Sequence, residues 1–193
     1  MEEFGGLMGF RVSDLIDTYG FKNHELEIYN YPDKKLLAEK SITGIFLGYY
    51  ERWDSIKNYK TSKDNGFVEY DKELEGCYFN FEKIDNYQHG IHDYFKFLKF
   101  GFGRATDQLS YSVRRKLLSR PDAIKLAQKL EGKYPKSYMG KSLKDILKKI
   151  NVTESEFVKI CDSFTNKKIF KTNNLNELIK DENNNLIKIK YDN

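Results

Sequence analysis

QHGIHDYFKFLKFGFGRATD, residues 88–107, holds two of the chain's three histidines, five aromatic side chains, a glycine pair and an arginine followed by an acid. Tyr94, Phe95 and Leu98 recur at helical spacing, which predicts a helix with an apolar face. In a helix starting near His89, that residue shares a face with His92 and Asp93. Imidazole and carboxylate there suit proton transfer or orientation of a polar substrate. Gly90 weakens the helix start, and the same residues equally suit two histidines satisfied by hydrogen bonds. Gly101-Phe102-Gly103-Arg104 is too short for a dinucleotide fingerprint and follows an aromatic run, so a Rossmann loop is rejected. Glycines ahead of an arginine at a helix start would admit an anion, and Arg104 would grip phosphate oxygens bidentately, with Lys99 about one turn earlier. The competing role is a helix–loop–helix hinge in which Arg104 pairs with Asp107.

Around this stretch the chain has 193 residues, 39% hydrophobic and 15% aromatic, enough to bury a real core. Its net charge of +4 discriminates weakly between anionic small molecules and nucleic acid. No interleaving of arginines and aromatics of the RNA-binding kind is present, so no nucleic-acid partner is expected. Cys77 and Cys161 are far apart and lack a CxxC partner, which points to a reducing compartment. No apolar run approaches the roughly 18 residues of a membrane span, and MEEFGGLMGFRVSDL is acidic where a signal peptide is basic. A soluble, cytoplasmic protein is expected.

Gly5, Gly6 and Gly9 predict a loop, followed by helices at 13–19 and around 32–39. SITGIFLGYY (41–50) predicts a strand or buried extended segment, bulged at its glycines. ERWDSIKNYKTSKDNG predicts a helix stopped at Asn65-Gly66. Tyr50, Trp53 and Asp54 crowd polar and aromatic groups just after the expected strand, where ligands sit in α/β sheets. A solvated helix start capped by Asp54 is the alternative. Further on, Ser119, Ser142 and Thr153 are N-caps of three helices, the first with Pro121 in its opening turn. Leu143, Ile146, Leu147 and Ile150 form one apolar face; Phe157, Ile160, Cys161 and Phe164 form another. The asparagine-rich end predicts a hairpin about DENNN or a mobile tail. No metal site is expected, because no second ligand pair lies at metal spacing.

GFRVSDLIDTYGFKNHELEIYNYP, GIFLGYYERWDSIKN, NFEKIDNYQHGIHDYFKFLKFGFGRATDQLSYSVRR and LEGKYPKSYMGKSL together resemble the C-terminal half of the N-acetyl sugar amidotransferases. The resemblance runs from about Glu3 to Lys171, and HDYFKFLKFGFGRATDQ is its most specific part. It implies a PP-loop (HUP-like) ATP pyrophosphatase in bacterial lipopolysaccharide, O-antigen or pseudaminic/legionaminic acid biosynthesis. ATP with Mg2+ would adenylylate an N-acetyl oxygen on a sugar or nucleotide sugar. Ammonia from a glutaminase would then displace AMP, leaving an acetamidino group. The family's cysteine pairs and Ser-Gly-Gly-x-Asp-Ser phosphate loop are absent from this sequence. The chain is therefore expected to be the second half, with a separate phosphate-loop half and glutaminase subunits as partners.

Carried over to these positions, the candidates are His89, His92 and Asp93 for catalysis, Lys99 and Arg104 for phosphate, and Tyr50, Trp53 and Asp54 for substrate. The expected fold is mixed α/β and predominantly helical. Residues 1–118 would finish the amidotransferase domain, 119–170 would be a helical appendage, and 171–193 a hairpin or flexible tail. The alternatives are a non-catalytic interaction module and an inactive truncated remnant.

Overall fold

The computed structural model describes residues 9–190, so Gly5 and Gly6 of the expected N-terminal loop lie outside the described residues. The chain divides into two compact units, Met1–Asp54 and Ser55–Asn193. In the first unit, α1 (Val12–Tyr19), α2 (Lys34–Glu39) and the single turn α3 (Leu47–Tyr50) are joined by loops and two 3-10 turns. Asp33 caps α2 by accepting from the amides of Lys35 at 2.8 Å and Leu36 at 3.1 Å. Leu26 is the one buried hydrophobic side chain described in this unit.

The strand expected at 41–50 does not form. No neighbouring strand is present among the described residues to take its backbone groups, so they bond locally instead. The Tyr49 amide donates to the Phe46 carbonyl at 3.0 Å, and that of Glu51 to Leu47 at 2.9 Å. Ile45, Phe46, Leu47 and Tyr49 stay exposed. β-branched and aromatic composition favours a pleated surface only when a second strand supplies one.

The second unit opens with α4 (Ser55–Asp64), then an irregular segment leads to α5 (His89–Phe100). Rings organise that segment: Tyr59 stacks on Phe81 with centroids 4.1 Å apart, and Phe79 on Phe81 at 4.8 Å. α5 ends at Gly101, whose φ of 75° is the left-handed conformation a helix stop asks for; its amide closes on Phe97 at 2.8 Å. The helices α6 (Arg104–Arg114) and α7 (Arg120–Leu130) pack on each other. The two-residue antiparallel strands β1 (Ser137–Tyr138) and β2 (Lys141–Ser142) then precede α8 (Leu143–Lys148) and α9 (Glu154–Phe164).

Three N-caps read from sequence are in place. The hydroxyls of Ser119, Ser142 and Thr153 accept from the amides of Asp122, Asp145 and Glu156 at 3.3, 3.1 and 3.2 Å. Tyr94, Phe97 and Leu98 of α5 form the main core with Leu143, Leu147, Phe157, Cys161, Phe170 and Leu186. Ile150, Ile160 and Phe164, expected on the inward faces, are exposed. The tail folds back as paired segments, with Phe170 opposite Lys188 and Lys180 opposite Leu186. Its Leu186 reaches the core, which makes it a packed hairpin rather than a loose end. The chain is mixed α/β and mostly helical, with one two-stranded ladder among the described residues. The expected boundary at 118/119 falls between α6 and α7, inside the second unit.

Candidate functional site

A pocket of about 620 Å³ opens within the second unit between α5, the start of α6, the 130–138 segment and the tail turn at 183–185. Tyr94, Phe97, Tyr134 and Tyr138 supply aromatic walls, while Asp93, Arg104, Glu131, Asn183 and Asn185 supply polar groups. This mix, mostly apolar with a few placed polar atoms, is that of a small-ligand site. Gly90 explains its own place in α5: a Cβ there would lie 2.6 Å from the Tyr138 ring carbon Cδ2. The helix tolerates a poor helix former so that a ring can seat against its backbone.

The polar walls are tied from a distance. One carboxylate oxygen of Glu131 accepts from the Thr106 amide at 2.5 Å and the other from its hydroxyl at 2.9 Å, capping α6 from 25 residues away. Asn185 accepts the Tyr134 amide at 2.7 Å, and Asn183 accepts the Lys136 ammonium at 3.0 Å. Together these bonds pin the tail turn to the pocket rim.

Of the residues singled out by sequence, Asp93 and Arg104 line this pocket; His89, His92 and Lys99 do not. His89 Nε2 lies 2.9 Å from Asp85. His92 Nδ1 lies 3.0 Å from Asp93 Oδ1, with the imidazole 69% exposed and the carboxylate only 11%. The Lys99 ammonium sits over the Phe164 ring, 4.8 Å from its centroid. Lys99 and Arg104 are thus not brought together as a phosphate grip. Tyr50, Trp53 and Asp54 belong to the first unit, where Tyr50 and Trp53 are 69% and 74% exposed, and the pocket is built without them.

The main protein partner of Arg104 is Glu82 rather than the expected Asp107. Its Nη2 donates to Glu82, while Nη1 stands 3.8 Å from Asp107, which is held chiefly by Lys96. Gln108 joins the same network: its Nε2 donates to Glu82 at 3.0 Å, and its Oε1 accepts the amides of Tyr78 and Phe79 at 2.7 and 3.2 Å. Asp93 Oδ2 and Arg104 Nε are buried without a hydrogen-bond partner among the described residues. Glu82 lies 22 residues from Arg104, and no local spacing announces the pair. Glu131, Tyr134 and the Asn183–Asn185 turn were missed for the same reason.

The residues matching a known family model are 75–182, and the family is described as LPS biosynthesis protein WbpG-like, C-terminal domain. The chain belongs to this family. Its relation to lipopolysaccharide biosynthesis accords with the resemblance drawn from the motifs. The WbpG-like region contains every pocket-lining residue apart from Glu73, Leu74, Asn183 and Asn185. Comparison with curated proteins returns no match. No helix among the described residues is long and apolar enough to cross a membrane. No cluster of three or more His, Cys, Asp or Glu side chains placed to hold a metal occurs among them either.

Neither cysteine of this WbpG-like chain is built as a nucleophile. Burial pushes the thiols of Cys77 and Cys161 up to about 12, with the nearby carboxylates of Asp93 and Asp162 adding to the effect. Native protein at pH 8 should therefore fail to react with a disulfide dye, and both thiols should react once the chain is unfolded. Stoichiometric labelling of the folded chain would refute this. The linkage sign follows: the fold favours the protonated thiol, so this contribution is intact below the unfolded value near 8.5. It is lost as pH rises toward 12.

Proposed function

We propose that this chain is the sugar-handling part of an ATP-dependent N-acetyl sugar amidotransferase that serves lipopolysaccharide synthesis in the cytoplasm. The observation that carries this is the pocket of the WbpG-like region, whose aromatic walls stand beside several charged side chains, with Asp93 and Arg104 each keeping one polar atom without a partner among the described residues. Such a cavity suits a ring-shaped, uncharged, hydrogen-bonding ligand.

The lining carries more carboxylates than cations, which makes it a poor match for a triphosphate. Both Nη atoms of Arg104 face carboxylates, Lys99 lies elsewhere, and the lining sets Glu73, Glu75, Asp93 and Glu131 against Arg104, Lys133 and Lys136. ATP, its Mg2+ and the ammonia source are accordingly assigned to partners: a phosphate-loop half and a glutaminase. This chain's own contribution is to bind the sugar, exclude water and orient the acetamido group, with His92 steadying Asp93 from the solvent side.

The test is reconstitution. The full chain, mixed with a phosphate-loop half of an N-acetyl sugar amidotransferase, ammonia and a panel of N-acetylated nucleotide sugars, should release AMP and yield an acetamidino sugar. Neither component alone should do so. Product formation by the phosphate-loop half alone, unchanged when this chain is added, would overturn the proposal. That result would favour an interaction module, a role to which the exposed apolar residues 45–50 would lend themselves.

A further inference from the structure

The C-terminal ends of α5 and α9 meet at a corner of the second unit. Asn166, just past α9, ties them together: its amide donates to the Leu98 carbonyl at 3.0 Å and its Nδ2 to that of Lys99 at 3.3 Å. Three phenylalanines stand here: Phe100 ends α5, Phe102 sits between Gly101 and Gly103, and Phe164 ends α9. They are 59%, 40% and 50% exposed, and Ile160, one turn before Phe164, is exposed as well. A cluster of large apolar side chains left open to water among polar ones marks an interaction surface.

Lysines stand among the rings. The Lys99 ammonium lies 4.8 Å from the Phe164 ring centroid, and that of Lys96 lies 4.8 Å from the Phe102 ring. Lys167 is exposed three residues past Phe164, its ammonium donating to the Asn176 carbonyl at 2.7 Å. Asp107 and Asp162, the carboxylates closest in sequence to Phe102 and Phe164, are already paired with Lys96 and Lys180. Lys99 and Lys167 have no carboxylate partner among the described residues, which leaves the corner positively charged.

Composition selects what covers it. Protein-binding surfaces are rich in tyrosine, tryptophan and arginine and poor in lysine. Here the exposed apolar groups are phenylalanine and isoleucine, and the cations are lysine. That pattern suits a surface lying on a bilayer, with rings at the acyl boundary and ammonium groups among anionic headgroups. Contact with acyl chains also requires that backbone groups be satisfied within the protein. The carbonyls at this helix end meet that condition. Those of Phe97, Leu98, Lys99 and Gly101 accept in turn from the Gly101 amide, the Asn166 amide, Asn166 Nδ2 and the Lys188 ammonium.

We propose that this corner docks the chain on an anionic phospholipid bilayer. Phe100, Phe102 and Phe164 enter the interface, and Lys99 and Lys167 meet the headgroup phosphates. None of these five side chains lines the pocket, so the inference stands apart from the sugar reading. Co-sedimentation of the full chain with phosphatidylglycerol–phosphatidylethanolamine vesicles tests it, with phosphatidylcholine vesicles as the uncharged comparison. Anionic vesicles should capture the chain at about 10-fold lower lipid concentration or less, and high salt should weaken that capture. Phe100→Ser with Phe102→Ser, and separately Lys99→Glu with Lys167→Glu, should each weaken it about 10-fold or more with circular dichroism unchanged. The chain's one tryptophan is Trp53, so Phe100→Trp and Phe164→Trp, each made in a Trp53→Phe background, report depth. Both should shift to the blue on anionic vesicles and be quenched by brominated acyl chains.

Failure of anionic vesicles to capture the chain would overturn the proposal, as would equal capture by phosphatidylcholine. Capture that survives either pair of substitutions would place the membrane contact elsewhere on the chain. Quenching at position 100 without quenching at 164 would show that the rings do not share one surface. A dimer in sedimentation velocity that Phe100→Ser dissociates would give the corner to a second copy of the chain instead. If a substituted pair fails to fold, quenching of the folded tryptophan variants still decides.

Discussion

Phe170→Ala should destabilise the chain by roughly 3–5 kcal/mol and lower Tm by on the order of 10 °C. Phe170 is 0% exposed and lies among the core residues of α5, α8 and α9, its ring 5.4 Å from that of Phe97. Removing it leaves a cavity, because its neighbours belong to different helices and cannot all move in at once. Its backbone adds to the effect: the Phe170 amide bonds Asn166 at 3.2 Å, and the residue pairs with Lys188 of the returning tail. Phe164→Ala is the control. Phe164 is 50% exposed, and it should cost about 1 kcal/mol. Thermal melts followed by circular dichroism check both. Equal, small losses would mean that the tail contributes nothing to the core.

The tail also marks where sequence ceased to be informative. A hairpin about DENNN and a mobile end were equally compatible with its composition. The deciding contacts, Phe170 and Leu186 on α5, are long-range and leave no local signature. By contrast α7, α8 and α9 were legible because their caps are local: Ser119, Ser142 and Thr153 each act within three residues. The 88–107 stretch was legible as a helix, a glycine stop and a second helix, and Asp93 and Arg104 were picked out within it. What it did not show was which side chains turn toward the pocket. His89 and His92 share the helix with Asp93, yet His89 pairs with the exposed Asp85, and His92, itself exposed, backs Asp93 from outside the pocket. SITGIFLGYY failed because a strand is defined by its partner, and only the segment itself was visible. Tyr50, Trp53 and Asp54 were chosen on the strength of that strand, and they fall in the other unit.

Glu82→Ala should cost about 2–4 kcal/mol, because it strips the partner from two donors at once. Arg104 loses the acceptor of Nη2, and Gln108, 3% exposed, loses the acceptor of Nε2. The ion pair is partly exposed, with side chains at 28% and 20%, so solvent screens it and the loss stays below that of a fully buried charge. The removed carboxylate is missed more than the pair was worth, since a half-buried guanidinium remains without its counter-charge. Arg104→Met should therefore be milder alone than Glu82→Ala. The double variant should recover part of the loss, giving a coupling of about 1 kcal/mol or more in a double-mutant cycle. If Arg104 were instead a phosphate ligand only loosely held by Glu82, Glu82→Ala would leave stability nearly unchanged and give the chain affinity for inorganic phosphate. Melting curves of the three variants, with phosphate titrations of Glu82→Ala, separate these outcomes. Glu82→Gln, which retains a neutral acceptor, should keep most of the stability.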